Sequence, residues 1–283
     1  MPSISAPSWS SADRTLSVSV VVYRPDHRML DNTLRSLGAA ISELATRGGP
    51  STVSLFLIDN GDMHERIVPP DAARVPPFVP ELIQGQGNVG YGRGHNLAIE
   101  RTTSRYHLIL NPDIELDDDA LSRALQFLDA NEDIGLLTPY IRDEHGQQQF
   151  LCRRYPTVID LFARGFLPAS LRKLLTDRLN RYELRDAIDD TSVFWAPPII
   201  SGCFMLFRTD VLKKLGGFDP RYFIYFEDYD LSLRTHEIAR VAYVPSVRVL
   251  HHGGDAARKG FAHIRMFMAS AWKFFNRFGW KWL

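Results

Sequence analysis

The sequence predicts an α/β chain built on a mostly parallel sheet with helices against it, and three observations predict this. The chain opens with an apolar strand, an amphipathic helix and a second apolar strand, the β-α-β unit of parallel sheets. Polar residues gather where apolar strands stop: at Asp59, at Asn111 and Asp113, and at His251. Open α/β sheets bind ligands beyond the carboxyl ends of their strands. A glycine-rich turn, Gly87 to Asn96, opens a helix between two of these strands.

The elements follow in order. Leu16 to Val22 alternates and then becomes fully apolar, as a buried central strand does. Tyr23-Arg24-Pro25-Asp26 stops it. Leu30, Leu34, Leu37, Ile41 and Leu44 mark one face of a helix that Gly48-Gly49 ends. Val53 to Ile58 is a second buried strand, running into Asp59-Asn60-Gly61. A Pro-rich loop occupies about 69–80, and Phe78 to Ile83 is a short strand. Tyr106 to Leu110 is the next strand, ending in Asn111-Pro112-Asp113. A helix through Leu121, Leu125 and Leu128 carries Asp117, Asp118 and Asp119 at its start, where the helix dipole favours them. Ile134 to Pro139 reads as a strand. From 147 to 191 the pattern loosens into an irregular, mobile helical insert. Ile199 to Arg208 returns to strand character, and Val211 to Leu215 is a short helix stopped by Gly216-Gly217. A helix to about Ile238 follows, then strands Val241 to Val244 and Val247 to His252. No internal repeat is present.

Composition narrows the function. The 283 residues suffice for one large α/β domain or two small ones. Lys+Arg and Asp+Glu balance at 33 each, so no bulk charge attracts a polyanion and no nucleic-acid partner is expected. The two cysteines, Cys152 and Cys203, make neither a disulfide framework nor a metal spacing. They read as buried or idle thiols in a reducing cytoplasm. Residues 1–14 read as disordered and lack the apolar core of a secretory signal. No apolar run reaches the length of a membrane span, so the chain is expected to be soluble or to rest on a membrane without crossing it.

The densest chemistry lies in Phe218 to Leu231, where five aromatic rings and an isoleucine lead into Glu227, Asp228 and Asp230. Rings beside a carboxylate desolvate it and raise its pKa, which makes a better proton acceptor near neutral pH. The competing reading has Asp228 capping the helix that follows. Asn111-Pro112-Asp113 reads either as a turn or as a divalent-metal site at Asp113, since Mg²⁺ or Mn²⁺ needs only one or two carboxylates besides phosphates and waters. His251 or His252 could add an imidazole, or could be structural. Gly90-x-Gly92-x-Gly94 lacks the spacing and position of a dinucleotide fingerprint, which disfavours a nicotinamide-dependent oxidoreductase. Its glycines still allow close backbone approach to a ligand, and Asn88, Arg93 and Asn96 could bond hydroxyls or phosphate.

In order, these motifs are the Val21-x-Tyr23 strand exit, Ile58-Asp59-Asn60, Asn88 to Asn96, Asn111-Pro112-Asp113, Gly202-Cys203-Phe204-Met205, Gly217-Phe218-Asp219, Phe226 to Leu231 and His251-His252-Gly253-Gly254. The series resembles family 2 of the inverting nucleotide-sugar glycosyltransferases, over about residues 16–278. More narrowly it is similar to bacterial rhamnosyltransferases of cell-surface polysaccharide and lipopolysaccharide synthesis. The resemblance implies a GT-A fold: a mixed, mostly parallel central sheet, with a single Rossmann-like nucleotide-sugar-binding domain merged with a C-terminal acceptor region. It implies a donor half at about 15–140, an acceptor and catalytic half at 192–260 within a domain spanning 15–260, and a separate amphipathic tail at 261–283. It implies Asp228 as catalytic base with Glu227 beside it. Donor contacts fall on Tyr23, Asp59, Asn88, Gly90, Arg93, Asn96, Asn111 and Asp113, and acceptor contacts on Gly202, Cys203, Phe226 and Asp230. Asp113 and His251 are implied as metal ligands, with His252 a close rival. Asn111 stands where many members carry the first Asp of an Asp-x-Asp motif. The implied donor is a dTDP-sugar, dTDP-L-rhamnose above all, or a UDP-sugar, and the acceptor a saccharide or polyprenyl-linked saccharide. Another sugar, or a non-catalytic carbohydrate-binding role, is the rival reading.

In the tail, Phe261, Ile264, Met268, Phe275 and Phe278 recur at helical spacing with Arg265, Lys273, Arg277 and Lys281 between them. Either the helix packs on the core, or it lies on anionic lipid at the inner face of the cytoplasmic membrane.

Overall fold

The computed structural model describes residues 15–61, 71, 77–253 and 261–283. The expected disorder of 1–14, most of the Pro-rich loop and Gly254 lie outside them.

Nine strands form one sheet: β1 (Leu16–Val22), β2 (Val53–Asp59), β3 (Phe78–Ile83), β4 (Tyr106–Leu110), β5 (Ile114–Leu116), β6 (Ile134–Arg142), β7 (Phe194–Trp195), β8 (Phe204–Arg208) and β9 (Arg240–His251). Their order is β3-β2-β1-β4-β8-β6-β9-β5, with β7 also paired to β9. β1, β2, β3 and β4 are mutually parallel, and β6 and β9 run the same way. β8 lies antiparallel between β4 and β6, and β5 and β7 are antiparallel to β9. The sheet is therefore mixed and mostly parallel.

β1 shows why these residues make a central strand. Leu16, Val18, Val20 and Val22 point into the larger core. That core is shared with helix α1 (His27–Thr46), whose N-terminus Asp26 caps by accepting from the Arg28 and Met29 amides. The other face of β1 carries Ser17 and Ser19, both fully buried. Burial of a hydroxyl demands partners, and a hydrogen-bonded chain supplies them. Thr102 Oγ1 meets Ser17 Oγ at 2.7 Å, Ser17 Oγ meets His107 Nδ1 at 2.7 Å, His107 Nε2 meets Ser19 Oγ at 2.9 Å, and Ser19 Oγ meets His95 Nδ1 at 2.7 Å. Burial pushes His95 well down and His107 to about 3, so both imidazoles stay neutral.

Helix α2 (Tyr91–Arg101) lies over this face, while α3 (Ala120–Ala130) packs with α1 on the opposite one. Residues 147–191 are helical, as expected, with more regular elements than the loosened pattern suggests. They form α4 (Val158–Phe166), α5 (Ala169–Arg172), a 3₁₀ turn (Lys173–Leu175) and α6 (Thr176–Tyr182). A capping box of Thr157 and Asp160 starts α4, and Arg178 of α6 donates to both, at 2.8 and 2.6 Å. The segment is also bridged to the end of β6 through Arg142–Gln148 and to the chain leading into β8 through Arg153–Ile199. Helix α7 (Thr209–Lys214) follows β8, and α8 (Glu227–Thr235) precedes β9. The two expected C-terminal strands are one. A register shift opposite Pro139 and Tyr140 lets Pro245-Ser246-Val247 bulge without ending the ladder. The strand expected from Ile199 begins only at Phe204.

Helix α9 (Phe261–Phe278) splits the apolar stripe read from the sequence. Phe275 is buried and Phe278 packs on the same aromatic cluster, while Phe261, Ile264 and Met268 remain exposed. Among the described residues no helix is long and apolar enough to cross a membrane.

Candidate active site

Topology brings the predicted polar residues to one edge. Parallel β1, β2, β4 and β9 end there at Val22, Asp59, Leu110 and His251. Antiparallel β8 starts there, with Phe204 paired to Leu110, so Gly202 and Cys203 enter the same edge. β5 also starts there, with Ile114 paired to His251, so Asp113 arrives beside His251.

Asp113 and His251 form one half of the site. His251 Nε2 lies 3.6 Å from Asp113 Oδ2, and Asp113 Oδ1 is buried with no hydrogen-bond partner. Gly253 leaves this space open: a Cβ there would stand 2.5 Å from His251 Nε2 and 2.8 Å from Asp113 Oδ2. Gln149 holds the imidazole. Its Oε1 is 2.8 Å from His251 Nδ1, and its Nε2 donates to the His251 carbonyl at 3.2 Å. With the Nδ1 proton donated to Gln149, Nε2 presents its lone pair toward Asp113. His252 faces elsewhere, bridging Glu115 and Glu144 at 2.7 Å each. Burial lowers its pKa, but these two carboxylates outweigh that and raise it. The residues fit a divalent cation. An orphaned carboxylate oxygen, an imidazole lone pair and room for ligand oxygens match the hard-cation sites that substrate phosphates complete. Among the described residues no cluster of three or more His, Cys, Asp or Glu forms a fuller cage.

Asp228 forms the other half. Two consecutive left-handed residues, Tyr225 (φ 70°) and Phe226 (φ 65°), turn the chain sharply into α8. For side chains with a Cβ, this costs roughly 1–2 kcal/mol per residue. Burial of Phe226 against Phe267, Phe274 and Tyr229, with ring centroids 5.1–5.2 Å apart, offsets it. The turn leaves Phe226, not Asp228, at the helix cap. Asp228 Oδ2 instead accepts from the Gly202 amide at 3.0 Å, and Oδ1 accepts from the Tyr229 amide at 2.9 Å. Tyr91 donates to the Gly202 carbonyl at 2.6 Å, so Gly202 links Tyr91 to the carboxylate. Burial raises the Asp228 pKa against these amide bonds. Glu227 is 6% exposed with Oε2 unpartnered, and burial, then Asp228, push its carboxyl up to about 8. Cys203 lies between the halves. Burial pushes its thiol up to about 12, with Asp113 and Asp228 both adding to the rise.

The other predicted residues divide. Asp59 is 2% exposed at the end of β2, with Oδ1 accepting from the Gly61 amide at 2.8 Å. Tyr23 is exposed at the β1 exit, and Asn111 donates its amide to the Cys203 carbonyl at 2.9 Å. The glycine-rich turn approaches the chain's own aromatic segment. Gly90 (φ 93°) abuts the Phe223 carbonyl, where any Cβ would collide. Arg93 donates to the Pro220 carbonyl at 2.6 Å, and Asn96 bonds both the amide (2.9 Å) and the carbonyl (2.8 Å) of Phe218. Asn88 accepts from the Gly90 amide at 3.1 Å. Arg93 and Asn96 thus fasten 218–220 in place, while Asn88 bonds within the turn.

Three expected acceptor contacts have their side chains inside the protein. Cys203 and Phe226 are buried at 2% and 3% exposure. Asp230 is fully buried and ion-paired to Arg234 at 2.5 Å and Arg277 at 2.8 Å, which ties α8 to α9. Tyr91 and Gln149 belong to the site without a sequence signal of their own.

This mostly parallel sheet, with buried carboxylates and a metal-fitting pair at one edge, is that of a glycosyltransferase of the GT-A fold. GalNAc-T7, solved with UDP, GalNAc and Mn²⁺, matches with TM-score 0.60 and 14% identity over 86% of this chain and 44% of its own. The mannosyltransferase PcManGT from Pyrobaculum calidifontis, in complex with GDP-Man and Mn²⁺, gives 0.57 and 17% over 88% and 59%. This chain thus spans about half the length of those solved structures. The family model for glycosyl transferase family 2 matches residues 17–216, and the chain belongs to that family. The matched span contains the Asp113 motif and ends before Asp228. An N-acetylglucosaminyl-diphospho-decaprenol L-rhamnosyltransferase of Mycobacterium tuberculosis (strain H37Rv) is 30% identical over 270 residues, 88% of this chain and 81% of its own. Rhamnosyltransferase WbbL of Escherichia coli (strain K12) is 26% identical over 201 residues, 68% and 72% of the two chains.

Proposed function

We propose that this enzyme transfers L-rhamnose from dTDP-L-rhamnose to a hydroxyl of a polyprenyl-linked saccharide, with inversion at the anomeric carbon. The observation that carries the chemistry is the pair of acidic centres, Asp228 and Asp113 with His251, on either side of Cys203 at one sheet edge. The rhamnosyl group is suggested by the names of both relatives, and the lipid-linked acceptor by that of the Mycobacterium tuberculosis relative.

Asp228 takes the proton of the acceptor hydroxyl as its oxygen attacks the anomeric carbon. The bond from that carbon to the diphosphate oxygen breaks on the opposite face, and the nucleoside diphosphate leaves with the electron pair. Gly202 and Tyr229 amides hold the carboxylate in place while it works. Asp113 and His251 would hold Mg²⁺ or Mn²⁺, with Gln149 fixing the imidazole. When bound, such an ion supplies positive charge to the departing diphosphate. Asp59 and Tyr23, at the exits of β2 and β1, are placed to meet the nucleoside. We assign 15–140 to the donor half and 192–260 to the acceptor and catalytic half.

We further place the enzyme at the inner face of the cytoplasmic membrane. Exposed Phe261 lies one helical turn from exposed Arg265 on α9, a pattern that suits anionic lipid.

The test is a transfer assay pairing dTDP-L-rhamnose, UDP-glucose and UDP-galactose with an N-acetylglucosaminyl-diphosphoryl polyprenol. Product from dTDP-L-rhamnose alone, of inverted anomeric configuration and dependent on added Mn²⁺ or Mg²⁺, is expected. Product only from a UDP-hexose would replace the donor assignment.

A further inference from the structure

Helices α4 and α9 enclose an apolar trough that the transfer chemistry leaves without a use. Leu161 and Phe162 line it on one side and Ile264, Met268 and Trp272 on the other, with Trp280 beyond them. Its volume is about 400 Å³, within the roughly 300–1,000 Å³ typical of ligand pockets. Phe162, Met268 and Trp272 are 54%, 54% and 61% exposed, although a helix simply packed on a core would cover such side chains.

The trough differs from end to end. From Ile264 to Phe275, α9 advances about 16 Å at 1.5 Å per residue. At the Ile264 end, the neighbouring His263 bonds the Tyr225 hydroxyl at 3.0 Å, and Arg265 is exposed. There Phe267 packs on the rings of Tyr225 and Phe226, the two residues that lead into Glu227 and Asp228. At the other end Trp280 stacks between Phe275 and Trp282, at 5.0 and 5.5 Å. One end is thus joined to the catalytic turn beside His263 and Arg265, and the other is built of stacked rings, with Trp280 Nε1 donating to Asn276 Oδ1 at 3.0 Å and Lys281 over the Tyr155 ring at 4.4 Å. The catalytic turn sets the direction of an amphiphile in the trough, its phosphate head at that end and its hydrocarbon chain along the rings. A bilayer laid across the mouth would leave the concavity unfilled and its dispersion contacts unmade, whereas a single narrow chain fills it.

We propose that this trough binds the isoprene units nearest the phosphate of the polyprenyl-linked acceptor, with the phosphate toward Arg265 and the chain running to Trp280. This rests on the lipid-linked acceptor of the preceding reading. It adds a binding site for the chain, separate from the carboxylates.

The test is calorimetric titration of the full-length protein with geranylgeranyl monophosphate below its micelle concentration, with inorganic phosphate as the head-only control. Wild type is compared with Met268→Glu, a change at an exposed position, and Ala271→Phe, which fills the trough. Co-sedimentation with 3:1 phosphatidylcholine–phosphatidylglycerol vesicles and transfer to a chain-free saccharide are measured in parallel. Saturable binding by wild type, weakened roughly tenfold or more in both variants, is expected from the loss of several buried methylene contacts. Transfer to the chain-free saccharide should not change. Equal affinity in wild type and a folded Met268→Glu would overturn the proposal. So would sedimentation with vesicles without saturable binding of the monophosphate, which would make the face a bilayer seat. Trough binding without sugar transfer to any lipid-linked saccharide would leave this site standing and remove the acceptor reading instead.

Discussion

His251 Nε2 faces Asp113 Oδ2 at 3.6 Å across the paired strands β9 and β5, with Gly253 leaving the space beside them open. Neither residue has another use for these atoms among the described residues. Asp113→Asn should therefore weaken Mn²⁺ binding about tenfold or more, read as free Mn²⁺ by electron paramagnetic resonance. Unchanged Mn²⁺ affinity would detach Asp113 from the metal.

Gln149 acts on the same ion through His251. Its two hydrogen bonds select the imidazole tautomer and fix the ring plane, as outer-shell partners of metal-binding histidines do. Gln149→Leu should lower Mn²⁺ affinity about tenfold, the lower end of what such partners are worth, while the melting temperature moves little. An unaltered Mn²⁺ titration would show that the ring keeps its place without the amide.

The buried Asp230 is shared by Arg234 and Arg277, and it joins the catalytic helix to α9. Removing one member of such a network leaves charge buried without a partner. Asp230→Ala should cost about 3 kcal/mol, measured by urea denaturation, the Arg277 share being lessened by its partial exposure. A loss below about 0.5 kcal/mol would make the network a solvated surface feature.

Much of this was legible in the sequence because strands buried on both faces leave long apolar runs, and their ends are where chain polarity returns. Asp59, Asn111, Asp113 and His251 were found that way. Tyr91 and Gln149 were not. Each acts through a partner far along the chain, Gly202 and His251 respectively, and neither periodicity nor spacing encodes such pairs. The three-residue β5 is too short to show alternation, and the bulge at Pro245-Ser246-Val247 broke the period of β9 into two apparent strands. The glycine-rich turn admits two readings for a physical reason. Close approach needs glycine whether the visitor is a ligand or, as here, the Phe223 backbone. Asp230, expected as an acceptor contact, shows the same ambiguity, since a carboxylate beside rings can meet a ligand or form half of a buried ion pair.

Glu227 should leave a signature in stability. Its ordinary pKa of 4.5 is pushed up to about 8 by burial and by Asp228. Between those values the unfolded chain is ionised while the folded one keeps its proton. Folding therefore takes up a proton, and stability falls as pH rises through this window. Glu227→Gln removes that cost. Its stability relative to wild type should improve by on the order of 2 kcal/mol between pH 5 and pH 8.5, read from urea midpoints. A constant difference across that range would mean that Glu227 titrates as an ordinary carboxyl.

The most direct test replaces the proposed base with its isostere. The amide oxygen of Asp228→Asn can still accept from the Gly202 amide and only the bond from the Tyr229 amide is lost, so the Asp113–His251 pair should stand. Single-turnover transfer and calorimetric donor affinity are then measured on the same preparation. The account predicts unchanged donor affinity with transfer slowed about 100-fold or more, the usual scale for loss of a general base. Transfer at close to the wild-type rate would contradict it.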